Sequence, residues 1–183
     1  GGGFYNPQKY TVAPKVVPDH LHWFYWESYS TWLSGFALFT VSYLWSARTY
    51  LIDTSLVDWS SGAAISVAVS FLVVFWMLYD LICRGFGQRR HGDVIVGALV
   101  LVVVCLASWL ACHWFAGRAA FLLVGAMIAT AMSANVFFVI IPGQRTTVKA
   151  LREGRPVDPI HGQRAKQRSV HNTYFTLPVL FAM

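Results

Sequence analysis

Acidic side chains are scarce in this sequence: 8 Asp and Glu stand against 14 Lys and Arg in 183 residues. Charged residues of both signs amount to 12%, where a soluble domain carries about a quarter. That shortage excludes a densely solvated surface. Cysteine is nearly absent as well. Cys83, Cys105 and Cys112 sit in apolar or membrane-edge stretches and form neither C-x-x-C nor C-x-x-C-H. A zinc ribbon and a c-type haem attachment are therefore excluded within these residues, and each thiol reads as a small hydrophobe. The opening glycines 1–3 lack the Gly-Lys-Ser/Thr ending of a phosphate loop, so no nucleotide site is expected there. There is no internal repeat, initiator Met or signal peptide, and the chain stops inside an apolar run too short to span a bilayer. It is expected to be a piece of a longer protein.

What is abundant is hydrocarbon. Apolar residues reach 56% and aromatics 16%. Four apolar runs, at 28–47, 63–81, 94–115 and 119–141, each approach the ~20 residues a helix needs to cross ~30 Å of lipid. A fifth begins at 174 and is cut at 183. The expected fold is an all-α polytopic membrane helix bundle, with four complete transmembrane helices and the start of a fifth in one transmembrane domain over 1–183. Trp23, Phe24, Tyr25, Trp26 and Tyr29 form an aromatic cluster where the first run meets the headgroups, the depth that amphipathic rings favour. In the run at 119–141, Ala119, Ala120, Gly125, Ala126, Ala129, Ala131 and Ala134 allow close backbone approach, so this helix is placed at the bundle centre. Ile141-Pro142-Gly143 is expected to stop it, with a basic helix near 146–153 and a kink at Pro178.

Alternating sides at each crossing puts segments 1–27, 83–93 and 142–171 on one face. These hold 12 of the 14 Lys and Arg, leaving Arg48 and Arg118 opposite. Basic loops remain in the cytoplasm, so this pattern predicts the orientation in a plasma (inner) membrane. The net charge of +6 flanks membrane spans and covers no soluble domain. The expected partner is the anionic lipid bilayer, with no nucleic acid.

Polar groups inside a bilayer are costly and mark function by default. Glu27, Asp80, Asn135 and the pair His171-Asn172 stand out. Arg84 lies four residues after Asp80 and accounts for it as a local ion pair. Glu27 is near enough to the headgroups to be hydrated. Asn135 lies about 9 Å inside its helix end at ~1.5 Å per residue. With Gln144, Arg145 and Arg168, these groups are expected to form one polar pocket at the cytoplasmic mouth. An arginine fork suits a flat anion. Among the six histidines, His20 and His22 make an H-x-H with no third ligand, and His91 and His161 read as solvated loop residues. His113 and His171 fall at opposite membrane faces, about 30 Å apart, and cannot share one iron. No metal site is expected.

Several blocks carry a resemblance. They are Gly1-Gly2-Gly3-Phe4-Tyr5; Phe24-x-Trp26-Glu27-x-Tyr29-x-Thr31-Trp32-x-Ser34-Gly35-Phe36; Tyr50-Leu51-Ile52-Asp53; Ala134-Asn135-Val136-Phe137 with Ile140-Ile141-Pro142-x-Gln144-Arg145; and Ala165-Lys166-Gln167-Arg168-Ser169-Val170-His171-Asn172-x-Tyr174-x-Thr176-Leu177-Pro178. Together they resemble the membrane domain of bacterial PuuD-type urate hydroxylases (the urate oxidase N-terminal domain family) over essentially the whole chain.

The resemblance implies eight membrane helices followed by a C-terminal cytochrome c domain, of which this chain would hold only part. It implies oxidation of urate to 5-hydroxyisourate in purine catabolism, with electrons leaving through a c-type haem in the missing domain to a respiratory-chain acceptor. For that chemistry His171 is the candidate base, or an iron ligand. Arg168 or Arg145 would pair the anion, Asn135, Asn172 and Gln144 would orient it, and Tyr174 would stack or donate a hydrogen bond. A purine transport module and a plain membrane anchor for a cytochrome are the competing readings. Inverted repeats and helices broken at mid-membrane would mark the former.

Overall fold

A computed structural model describes residues 25–183, and all regular structure there is helical. Helix α1 (Tyr25–Phe39) runs into a wide π turn (Thr40–Leu44), and a short α2 (Ala47–Tyr50) follows. Next come α3 (Ser61–Phe86), α4 (Gly92–Trp114) and α5 (Gly117–Asn135). A second π turn (Val136–Ile140) leads into α6 (Ile141–Arg152), and α7 (Pro159–Ala182) ends the chain. The caps follow sequence. The Ser60 side chain accepts the Ala63 N–H ahead of α3, and Asp158 accepts the Ile160 N–H ahead of α7, each satisfying an orphan donor of the first turn.

Three helices are long and apolar enough to cross a membrane: Ser61–Phe86, Gly92–Trp114 and the unbroken stretch Gly117–Arg152. This corrects the expected four complete spans and start of a fifth. The run at 28–47 is diluted by Ser28, Ser30, Thr31, Ser34 and Thr40, and it breaks at Ser46, whose backbone leaves the helical region (φ −112°, ψ 53°). The run at 174–183 is only the tail of a 24-residue helix whose first half carries His161, Arg164, Lys166 and Arg168.

The expected stop at Ile141-Pro142-Gly143 does not occur either. A proline ring clashes with the carbonyl four residues back in an ideal α-helix. Here the preceding turn is already widened at Val136–Ile140, and Pro142 occupies the first turn of α6, where its missing N–H costs nothing. Chain 142–171 is consequently helical apart from the turn at 153–158, where Gly154 takes the single positive φ among the described residues (64°).

Helix α5 is the centre, as its small residues predict. Ala119, Ala120, Leu123, Met127 and Ala131 are fully enclosed and pack against α3, α4 and α7. At Gly125, an added Cβ would stand 2.8 Å from Met183 Cγ. Lipid supplies no hydrophobic force between helices, so this close contact and side-chain hydrogen bonding are what hold them. Trp32 Nε1 donates to Thr130 Oγ1 (3.1 Å), tying α1 to α5.

The core divides lengthwise. One cluster gathers Phe39, Leu51, Leu72, Phe115 and Leu123, closed by the Trp59 ring donating to the Trp114 carbonyl (3.0 Å). The other gathers Phe75, Tyr79, Val96, Val100 and Met127 at the basic end. In the loop beside the first cluster, the Ser55 hydroxyl and backbone N–H both donate to Asp53, which holds that carboxyl below its ordinary range.

The α3–α4 hairpin turns on Gly92. A Cβ there would meet the Phe86 and Gly87 carbonyl groups at 2.6 and 2.7 Å, backbone that cannot step aside. Gly92→Ala is expected to destabilise the detergent-solubilised protein by roughly 1–3 kcal/mol, the usual cost of overpacking. Thermal unfolding followed by helical circular dichroism measures it. Gly97→Ala, where a Cβ meets open space, serves as the neutral control.

Candidate functional site

At the basic end, α3, α5 and α7 bring together side chains far apart in sequence. α3 supplies Tyr79, Asp80 and Cys83, one helical turn of inward-facing residues. α5 ends on Asn135, fully buried, and the π turn begins at the next residue. Wide turns of this kind recur at functional sites. Phe137 and Phe138 lie on it and are half exposed. α7 supplies Arg168, His171 and Asn172, three and four residues apart and so on one face.

Arg168 is 4% exposed. Its guanidinium donates to Asp80 Oδ1 (2.6 Å) and to Asn135 Oδ1 (3.2 Å), and lies 4.8 Å over the Tyr79 ring. The second oxygen of Asp80 takes Arg84 Nε at 2.6 Å. Asn135 Nδ2 donates to Asn172 Oδ1 (2.9 Å) and to the Tyr79 hydroxyl (3.1 Å). Asn172 Nδ2 donates to the Met132 carbonyl (3.0 Å). The Tyr79 hydroxyl and His171 Nδ1 are 2.9 Å apart, with Cys83 Sγ 3.9 Å from the same nitrogen. Every polar atom of Asn135 is therefore engaged.

Two cavities flank this network. A groove of about 760 Å³ lies between α4 and α7, with His171, Tyr79, Tyr174 and Gln167 on its polar side and Val96, Val100, Val104 and Phe175 on its apolar side. A crevice of about 210 Å³ lies on the other flank, lined by Asp80, Arg84, Thr146, His161, Arg164 and Arg168. His161 is thus half-buried on α7 beside Gly143, not on a solvated loop.

Of the residues predicted for the site, Asn135, Arg168, His171 and Asn172 converge. Tyr174 is 75% exposed and reaches the assembly only as part of the groove wall. Gln144 is exposed on α6, and Arg145 places its guanidinium over the Tyr25 ring (5.6 Å), toward α1. Glu27 is exposed in the first turn of α1. His20 and His22 lie outside the described residues. One member, Tyr79, went unforeseen, and Asp80 was expected at the pocket without its bond to Arg168. Tyr79 has the composition of a core aromatic, and Asp80 already had a sufficient local partner in Arg84. The only available signal was the second carboxylate oxygen of Asp80, which a single local partner leaves free.

Among the described residues no three His, Cys, Asp or Glu side chains gather as a metal set. Cys83 is buried while Cys105 and Cys112 are exposed on α4, and His113 binds the Trp109 carbonyl at the far end of that helix (2.7 Å). These residues do not fit the attachment of a c-type haem.

Asp80 and its exposed partner Arg84 should differ sharply in what their loss costs. Removing one partner of a buried pair leaves an uncompensated charge, so Asp80→Asn is expected to cost about 3–5 kcal/mol. Arg84 is 67% exposed, and Arg84→Ala is expected to cost no more than about 1 kcal/mol. Denaturant unfolding in one detergent tests both, and equal losses would contradict the assignment.

No curated protein and no solved structure matches this sequence. The family model described as Urate oxidase N-terminal matches residues 1–183, the whole length, and the chain belongs to that family.

Proposed function

We propose that this chain is the membrane-embedded part of an enzyme oxidising urate to 5-hydroxyisourate, with the site at the basic end between α3, α5 and α7. The observation that carries this reading is the buried assembly of Arg168, Asn135, Asn172 and His171 beside an open groove, in a chain of the urate oxidase N-terminal family. Urate is a flat, amide-rich anion. Its conversion adds water at one ring carbon and releases two protons and two electrons. The His171 imidazole and the Gln163 and Gln167 amides on the groove wall match its edge, and the groove is large enough for a bicyclic ring.

The basic end, which carries Arg84, Arg89, Arg90, Lys149, Arg152 and Lys166, faces the cytoplasm of a bacterial inner membrane by the asymmetry of its charge. Urate therefore enters from the cytoplasm, drawn by the cations at the mouth. The electrons pass to a respiratory-chain acceptor, with a c-type cytochrome outside these residues as the partner. His171 is the group that meets the substrate. Arg168 is already neutralised by Asp80, so it organises the assembly and does not pair the anion itself.

His171→Ala in the full-length protein, assayed in membranes for urate-dependent reduction of the electron acceptor, is expected to lower turnover by about 100-fold or more, the usual weight of a group positioned at the reacting atoms. Gln144→Ala, on an exposed position away from the assembly, is expected to leave turnover unchanged. Undiminished activity in the histidine variant would remove the site from this end.

A further inference from the structure

The hydrogen bonds of the buried assembly have a direction, and it can be read from both ends. Arg168 is a donor with no acceptor capacity. The amide atom of Asn135 that faces it at 3.2 Å is therefore the oxygen, and Nδ2 must point the other way. At the opposite end the Met132 carbonyl only accepts. It fixes Nδ2 of Asn172 toward itself (3.0 Å) and leaves Oδ1 of Asn172 for Asn135 (2.9 Å). That also requires Nδ2 on Asn135. Two independent anchors thus give the same orientation of one amide.

The remaining hydrogens follow from the strongest acceptor each one meets. The second hydrogen of Asn135 Nδ2 goes to the Tyr79 oxygen (3.1 Å). A phenol that accepts there still has its one hydrogen. Its remaining polar neighbours are His171 Nδ1 at 2.9 Å and the Cys83 thiol, and sulfur is the weaker acceptor, so the hydrogen goes to Nδ1. Nδ1 is then an acceptor, and a neutral imidazole carries its proton on the other nitrogen. Nε2 has no protein partner among the described residues, and the ring lines the α4–α7 groove.

We infer that Tyr79, Asn135, Arg168 and Asp80 are positioning residues that lock His171 as the Nε2–H tautomer, so that it offers the groove a hydrogen-bond donor for a carbonyl or enolate oxygen of the ligand. This deepens the reading given above and rests on it for the identity of the ligand. It replaces the general base expected at His171 with a donor. The proton that leaves urate nitrogen or water goes to another acceptor, solvent included.

Full-length protein labelled with 15N-histidine in lipid nanodiscs gives the test without any substrate, the His171 signals being identified by their loss in His171→Gln. The expected spectrum at neutral pH is the Nε2–H tautomer. Asn135→Asp keeps the shape of the side chain but removes its donors. The Tyr79 hydroxyl then turns toward the new carboxylate, and His171 is expected to switch to the Nδ1–H tautomer. A merely structural asparagine would not produce that reversal. Tyr79→Phe, with folding checked by circular dichroism, is expected to give a mixture of the two tautomers.

An Nδ1–H ring or an imidazolium in the unaltered protein, or the same tautomer in all three proteins, overturns the proposal. A second arm reads chemistry. Glutamine supplies an acceptor for Tyr79 and an N–H for the ligand but cannot act as a base. His171→Gln is expected to retain turnover within about tenfold of the unaltered protein, where His171→Ala, which removes the donor outright, loses about 100-fold or more. Equal loss in both overturns the donor role. If the unaltered full-length protein shows no urate turnover, the proposed function fails, and the tautomer measurements still decide the direction of the network.

Discussion

A guanidinium enclosed at the end of an apolar helix bundle must be neutralised and surrounded by acceptors, and the whole basic end of this chain is arranged around that requirement. Arg168 meets a carboxylate, an amide oxygen and an aromatic face from two other helices. A buried pair of this kind is weak evidence of added stability, because desolvation offsets much of the attraction. Its effect is on register. Only one rotation and one height of α7 place Arg168 against Asp80 while His171 and Asn172 face Tyr79 and Asn135.

That register is possible because α5 is slender where α7 crosses it. Fully buried Ala131 and the tight site at Gly125 leave room for α7 along its length. Asn135 then reaches both neighbours from the last turn before the π segment. The widened turn also carries the backbone past Pro142, so α6 continues from α5 instead of starting afresh. A helix stopped at Ile141 would leave α6 free to orient independently, and the crevice wall formed by Pro142, Gly143 and Thr146 would not exist.

Much of this was legible in the amino-acid sequence, and the failures have physical causes. The small-residue pattern identified α5 as the centre, and the rarity of polar groups in hydrocarbon singled out Asn135 and the His171-Asn172 pair. The span count was overestimated because run length was read without its dilution by Ser and Thr in 28–47. Gln144 and Arg145 were drawn into the site because Pro142 was taken as a stop, whereas a continuous helix carries them to an exposed face. Asp80 was thought satisfied by Arg84. A carboxylate has two oxygens, and the second binds across the bundle. Tyr79 gave no signal, since a tyrosine in an apolar helix looks the same whether its hydroxyl is idle or central.

The charge of the assembly decides what kind of recognition it can perform. Asp80 lies against both Arg84 and Arg168, leaving an excess of one positive charge, and most of that resides on exposed Arg84. Arg164 adds to it at the crevice. On the groove side, Lys166 and Asp93 both line the wall and oppose each other in sign. An anion is therefore attracted at the mouth by exposed cations, where salt screens the field. On the proposed reading, it then meets His171, a neutral donor whose direction is fixed by partners on α3 and α5. The proposed function thus assigns attraction and discrimination to different residues, and the arginine that looked most like the anion's partner holds the others in place through Asp80 and Asn135.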